Sequence, residues 1–142
     1  MVRIQDVIRG RDLYSVQVNQ SVADVTRHMA DLRVGAILVL ENDKLRGLFS
    51  ERDLMTRVVV ERRNPESTPV SSVMSTNLAT VDESSTLDEA LDCMNQHNCR
   101  HLPVLCNGRV TGFLSMRDLM RFELDRKTEE LQHLHTYLAG SA

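Results

Sequence analysis

The sequence predicts an α+β (α/β) fold built from two copies of a strand–helix–strand–strand–helix unit, and three observations carry that reading. First, Gly47-Leu48-Phe49-Ser50-Glu51-Arg52-Asp53-Leu54-Met55 returns as Gly112-Phe113-Leu114-Ser115-Met116-Arg117-Asp118-Leu119-Met120, an offset of 65 residues. The offset extends backwards without a gap: Val16 falls on Val81, Met29 on Met94, Val39-Leu40 on Val104-Leu105 and Asn42 on Asn107. The chain is therefore a tandem duplication. Second, each copy alternates short runs of strand formers with segments of helical periodicity. Third, 142 residues with 42% hydrophobic and 26% charged side chains have an ordinary globular composition. A copy of about 60 residues buries too little surface to be comfortable alone, so the two are expected to pack together.

The elements follow in order. Tyr14 to Val18 is a short strand, matched by Leu78 to Val81. Ser21 and Thr86 sit where helix N-caps belong, and Thr86 is followed at the right distance by Glu89 to close a capping box. Val22, Val25, Met29 and Leu32 then recur at helical spacing, as do Leu87, Ala90, Leu91 and Met94. Ala36 to Leu40 is a continuous apolar run too short for an independent helix, so it reads as a buried strand. His101 to Leu105 repeats it, with Pro103 placing it at a strand start or an edge. Glu41-Asn42-Asp43-Lys44 and Cys106-Asn107-Gly108-Arg109 are hairpin turns into the next strand. Ser50 and Ser115 cap the last helix of each copy, expected from about Glu51 to Arg62 and from Met116 onward to about Ala139, with Gly140 as its stop.

Domain boundaries follow: residues 1–62 form the first repeat with its N-terminal segment, 63–72 the linker, 73–123 the second repeat and 124–142 a helical extension. The linker contains Pro65 and Pro69, which cannot continue a helix. In the extension Leu124, Leu131 and Leu138 recur every seven residues with Leu134 between, interrupted by Lys127. That seam is expected to pack on the domain pair or on a second copy rather than form a free coiled coil.

Composition excludes several classes. A net charge of −3 gives no general attraction to nucleic acid or acidic lipid, and no tryptophan is present for base stacking. No apolar run approaches the roughly 20 residues needed to span a bilayer. Three cysteines cannot all pair and no secretory signal precedes them, so a reducing, cytoplasmic setting is expected. His97, Cys99 and His101 alternate, with Cys106 as a fourth possible ligand, but no CxxC or HxxxH pattern supports a metal, and none is expected. Cys93 and Cys99 read as small packing residues rather than nucleophiles.

The chemistry sits in the duplicated Gly-x-x-Ser-x-x-Asp. The serine begins a helix, where free N–H groups and the positive end of the dipole attract an anion. The aspartate lies one turn on along the same face, so hydroxyl and carboxylate converge. A carboxylate accepts two hydrogen bonds from vicinal ribose hydroxyls, while hydroxyl and amides meet a phosphate. Ser-x-x-Asp is also a plain helix cap, but a cap alone does not require the same Arg-Asp-Leu-Met behind it in both copies. Arg52 and Arg117 oppose the helix dipole, which suggests a phosphate or carboxylate partner; a solvated surface arginine is the other reading.

Together with Arg100-His101-Leu102-Pro103-Val104 and the order of elements, the duplicated motif makes the chain resemble the CBS-domain family from about Ser15 to Phe122. The resemblance implies two repeats joined through their three-stranded sheets into a pseudo-symmetric disc with two clefts for adenosine compounds. AMP, ADP, ATP or NAD(H) are the ligands implied, S-adenosylmethionine less so, and no cofactor is required. By the same resemblance Asp53 and Asp118 hold ribose hydroxyls, Ser50 and Ser115 lie near ribose or phosphate, and Arg100 and His101 face phosphate. Val16, Ile37, Leu78, Leu102 and Pro103 are the weaker candidates for an adenine pocket, since they are also core positions. The first repeat carries Gly35-Ala36 where the second has Arg100-His101, so the clefts are expected to be chemically unequal. The expected function is a non-catalytic regulatory module, homodimeric and signalling to a protein partner. The alternative is an interaction protein with unoccupied clefts, acting through its C-terminal helix.

Overall fold

The computed structural model describes residues 2–140; Met1, assigned above to the first unit, and Ser141 and Ala142, assigned to the extension, lie outside the described residues. A short helix α1 (Ile4–Ile8) precedes β1 (Ser15–Gln17), α2 (Val22–Leu32), β2 (Ala36–Glu41), β3 (Lys44–Ser50) and α3 (Glu51–Asp53). The second copy runs β4 (Val81–Asp82), α4 (Leu87–His97), β5 (His101–Cys106), β6 (Arg109–Ser115) and α5 (Met116–Gly140). Each sheet has three strands, ordered β1-β2-β3 and β4-β5-β6. In both, the first pair is parallel and the second antiparallel. Both hairpins carry a bulge at the same place, between Val39 and Leu40 and between Val104 and Leu105, so the duplication extends to irregularities of the backbone. β3 and β6 meet across the interface between the copies.

The hydroxyl caps form as expected, but the capping box expected at Thr86 does not close: Thr86 accepts the Glu89 N–H, and the Glu89 side chain does not return to the Thr86 N–H. Ser21 and Thr86 accept the N–H groups of Asp24 and Glu89 at 3.1 and 3.2 Å. Arg33 and Asn98 end the helices in left-handed conformations, at φ 59° and 50°. The helix after β3 departs from expectation: from Leu54 to Val59 it widens into π-helical turns, with the Val60 N–H reaching the Met55 carbonyl. Val58 thereby enters the core while Val59 and Val60 stay in solvent.

Two hydrophobic clusters form, one per sheet, and each is completed by a segment that sequence order assigns elsewhere. Ile4, Val7 and Ile8 of α1 pack with Leu87, Met94, Leu102, Leu114 and Leu119 of the second copy. Val70 and Val73, which lead into the second copy, pack with Val22, Ile37, Phe49 and Val58 of the first. Chain order groups α1 with residues 1–62, but its apolar face covers the other repeat. The physical reason is shared need: the helices of each copy leave part of their own core open, and the exchanged segments close it.

Glycine is required where an exchanged segment crosses a hairpin. A Cβ on Gly47 would stand 2.5 Å from the Met74 sulfur and 2.8 Å from the Ser75 carbonyl oxygen. A Cβ on Gly112 would meet only the side chain of Ile8, at 2.7 Å from Cδ1. Ile8 can rotate, whereas the Ser75 backbone cannot retreat. Gly47→Ala is therefore expected to destabilise by about 1–3 kcal/mol and Gly112→Ala by distinctly less, as read from urea unfolding midpoints. Equal losses would contradict this assignment.

Candidate functional site

A cleft of 1310 Å³ opens where the second copy, the N-terminal segment and the edge of the first copy meet. Of the residues singled out above, Ser115, Asp118, Arg100, His101 and Arg117 line it; Ser50, Asp53 and Arg52 do not. Local chemistry places each. Ser115 ends β6 and caps α5: its Oγ accepts the Asp118 N–H at 3.0 Å, and Asp118 Oδ2 accepts the Ser115 N–H at 2.9 Å. The reciprocal bonds close because three residues separate the partners. The Met116 N–H donates to the Arg100 carbonyl at 2.8 Å, tying the helix start to the loop that carries Arg100. His101 stacks on Phe113 across β5 and β6, ring centres 5.3 Å apart.

The cleft is basic. Arg11, Arg33, Arg100, Arg117 and Arg121 face Asp12, Glu51 and Asp118. Desolvation lowers the His101 pKa below its usual 6.5, Asp118 and Glu51 pull it up, and Arg100 pushes it down. Because the folded pKa lies below the unfolded one, the unfolded chain binds the proton more readily. Stability is thus expected to fall as pH drops through 6.5, less so in His101→Gln, as checked by thermal melts of both proteins.

The other half of the duplication is closed. Ser50 and Asp53 form the same reciprocal cap, at 3.0 and 3.2 Å. There Asp53 is only 7% exposed. The Ser75 hydroxyl lies 3.2 and 3.3 Å from its two carboxylate oxygens, and Arg57 Nε lies 3.7 Å from Oδ1. Arg57 also donates to the carbonyls of Val73 and Met74. Leu48 and Ser75 exchange both backbone hydrogen bonds, at 2.9 and 2.8 Å, so the inter-repeat segment is zipped onto β3. Asp53 is thus a clasp in the structure, and its carboxylate does not reach the open cleft. The sequence difference that causes this is plain in retrospect: Ser75 corresponds to Gly10, and Arg57 to Phe122. Gly10 turns the chain away at φ 75°, and Phe122 packs against the second core instead of pairing with Asp118.

The candidate adenine positions lie away from the cleft lining. Val16, Ile37 and Leu102 are buried in the two cores, Pro103 is buried, Leu78 is half-buried, and none of the five lines the cleft. The middles of β2 and β5 are buried on both faces, so those side chains are spent on packing, while Ala36 and His101 at the strand starts reach the cleft. The apolar lining comes instead from Leu13, Tyr14, Val34, Phe113 and Met116. Sequence reasoning missed Arg11, Tyr14, Arg33 and Arg121, also in the lining; Arg11 and Tyr14 fall on Thr76 and Ala79 in the other copy, so the repeat pattern does not mark them. Among the described residues no cluster of three or more His, Cys, Asp or Glu is arranged to hold a metal. His97 Nδ1 lies 2.9 Å from the Cys93 carbonyl oxygen. No helix among the described residues is long and apolar enough to cross a membrane.

Two duplicated α+β units enclosing a cleft, with a serine–aspartate helix cap at its wall, define a paired-repeat module. The chain belongs to the CBS-domain family: the profile of the CBS domain matches residues 4–60 and 70–125. It is 31% identical over 127 residues to the mitochondrial CBS domain-containing protein CBSX3 of Arabidopsis thaliana, covering 86% of this chain but only 62% of that protein. A protein with CBS domains from Burkholderia ambifaria MC40-6 superposes with a TM-score of 0.82 at 32% identity, over 87% of this chain and 95% of that one. A CBS domain protein from Pyrobaculum aerophilum, complexed with AMP, superposes with a TM-score of 0.74 at 26% identity, over 82% of this chain and 89% of that one.

Proposed function

We propose that the chain is a non-catalytic sensor that takes one adenosine nucleotide in the Asp118 cleft and signals by a shift between its repeats. The observation that carries this is the cleft itself. Asp118 stands beside a helix start, and five arginines outweigh three acids around it. In this reading Asp118 accepts the ribose hydroxyls. Arg100, His101 and the α5 N-terminus meet phosphate, and Tyr14 with Phe113 supplies apolar surface for the base. AMP, ADP, ATP and NAD(H) all share this chemistry, and the AMP complex of the Pyrobaculum relative favours the class. Arg33 and Glu51 come from the first copy and the other charged walls from the second and the N-terminal segment, so a ligand touches both repeats. It biases their arrangement to the extent that it binds one arrangement better.

Calorimetry with AMP, ATP, NADH and adenosine tests the reading. One ligand per chain at micromolar strength, about −8 kcal/mol, is expected. Arg100→Ala should weaken the nucleotides by about tenfold while leaving adenosine nearly unchanged, since a charge-assisted bond is worth about 1.5–3 kcal/mol. Two equal sites per chain, or equal loss for nucleotide and nucleoside, would sink this arrangement.

A second reading has its own observation. Leu124 and Leu131 are each 66% exposed along α5, a row of apolar surface on a helix that runs beyond its core contacts. This favours a homodimer, and exposed Met55, Val59, Val60 and Met120 extend the apolar surface. Light scattering should give a dimer, and Leu124→Glu with Leu131→Glu a monomer. A monomeric parent at high concentration would remove the dimer from the proposal.

A further inference from the structure

The cleft contains one contact that the duplication does not repeat. Asp118 and Asp53 both use Oδ2 to accept the N–H of the capping serine, at 2.9 and 3.0 Å. At Oδ1 they part. Asp118 Oδ1 lies 3.1 Å from Nη1 of Arg11, with the two side chains 41% exposed for Arg11 and 30% for Asp118. The position matching Arg11 in the second copy is Thr76, so among the described residues Asp53 has no such arginine partner from a distant segment; the arginine near its Oδ1 is Arg57 of its own helix, at 3.7 Å.

Arg11 is held in place from behind. Ile4, Val7 and Ile8 anchor α1 in the second core, and Gly10 turns the chain at φ 75°. The Arg11 N–H then closes onto the Ile8 carbonyl at 3.1 Å. The guanidinium therefore projects from a fixed stem, not from a free tail.

A carboxylate has about four acceptor positions, two on each oxygen. The Ser115 N–H takes one on Oδ2 and Arg11 takes one on Oδ1. One position is left on each oxygen, and the two donors fix the plane of the group. Two acceptors on neighbouring oxygens of a fixed carboxylate match the two hydroxyls of a vicinal cis-diol. A ligand with a single hydroxyl uses only one of them. Without Arg11 the Ser115 N–H still holds Oδ2, but one bond leaves the plane of the carboxylate free to turn about it, since the terminal torsion of an aspartate is broad.

We propose that Arg11 is a positioning residue that orients the Asp118 carboxylate and so makes the cleft selective for a ribose diol over a 2′-deoxyribose. This rests on the nucleotide reading of the same cleft. The Asp53 clasp supplies the internal contrast: its outward oxygens are met by Ser75 and Arg57, and little acceptor capacity is left for a ligand.

Calorimetry on the full chain with AMP and 2′-deoxy-AMP decides it, using the parent, Arg11→Ala and Arg11→Gln. The parent should prefer AMP by about tenfold or more, one charge-assisted hydrogen bond. Both variants should bind AMP more weakly, and their preference for AMP should shrink to about two- to threefold. Arg11→Gln keeps an N–H donor without charge, so it should retain more of the preference than Arg11→Ala. Thermal melts establish that both variants fold. An unchanged ratio of the two affinities, even with weaker binding of both, overturns the positioning role and leaves Arg11 as general charge. A parent that binds neither compound overturns the nucleotide reading itself, and this inference with it.

Discussion

Asp118→Ala is expected to weaken binding of AMP by about 100-fold or more, the largest effect on function of any single substitution in this chain. Two hydrogen bonds from ribose hydroxyls to an ionised group, each worth about 1.5–3 kcal/mol, are lost together, and every 1.4 kcal/mol is about tenfold in Kd. The same change also removes the reciprocal cap of α5, since Asp118 Oδ2 accepts the Ser115 N–H at 2.9 Å. That second loss costs about 1 kcal/mol of stability. The two are separable: calorimetry reads the affinity and a denaturant titration reads the cap. Asp118→Asn keeps an oxygen for the cap but replaces the ionised group, so it should restore much of the stability and little of the affinity. Full affinity in Asp118→Ala would place the ligand elsewhere.

Asp53→Ala is expected to behave in the opposite way, with a loss of about 2–3 kcal/mol in stability and little change in affinity. Asp53 holds the Ser50 N–H, the Ser75 hydroxyl and the Arg57 guanidinium, and it is nearly buried. Removing it leaves those donors without their acceptor in a partly desolvated place. For a chain of this size that corresponds to a fall of about 6–12 °C in Tm. The clasp ties Val73, Met74 and Ser75 to the first repeat, and Val70 and Val73 complete that repeat's core. Loosening it should therefore expose the edge of β3 to hydrogen exchange before the second sheet, because local opening follows the least stable contacts. A variant with unchanged Tm but lost nucleotide binding would reverse the roles assigned to the two aspartates.

The contrast between these residues shows how far the sequence could be read. The caps at Ser50 and Ser115, the turns at Asn42 and Asn107 and the order of elements were legible because each is closed within a few residues of chain. The Arg100–His101 pair was legible too, as a departure of one copy from the other, and both residues line the cleft. The adenine candidates lie outside the lining for a reason that periodicity cannot reveal. A run such as Ile37 to Leu40 says that a strand is buried, not which of its neighbours buries it. The segment from Gly10 to Tyr14 was silent because its residues differ from their counterparts Ser75 to Ala79 at every position but Leu13, yet it forms a wall of the cleft.

By itself the sequence determined a duplicated α+β chain with a hydroxyl and a carboxylate at the start of each closing helix. Only the tertiary structure decided which carboxylate faces a cleft. Ser75 reaches Asp53 from 22 positions away, and Arg11 reaches Asp118 from the far end of the chain. Helix geometry sets the cap through short-range spacing, which a motif records. The outward oxygen is set by whichever distant segment packs beside it, and that depends on how the cores exchange their covering pieces.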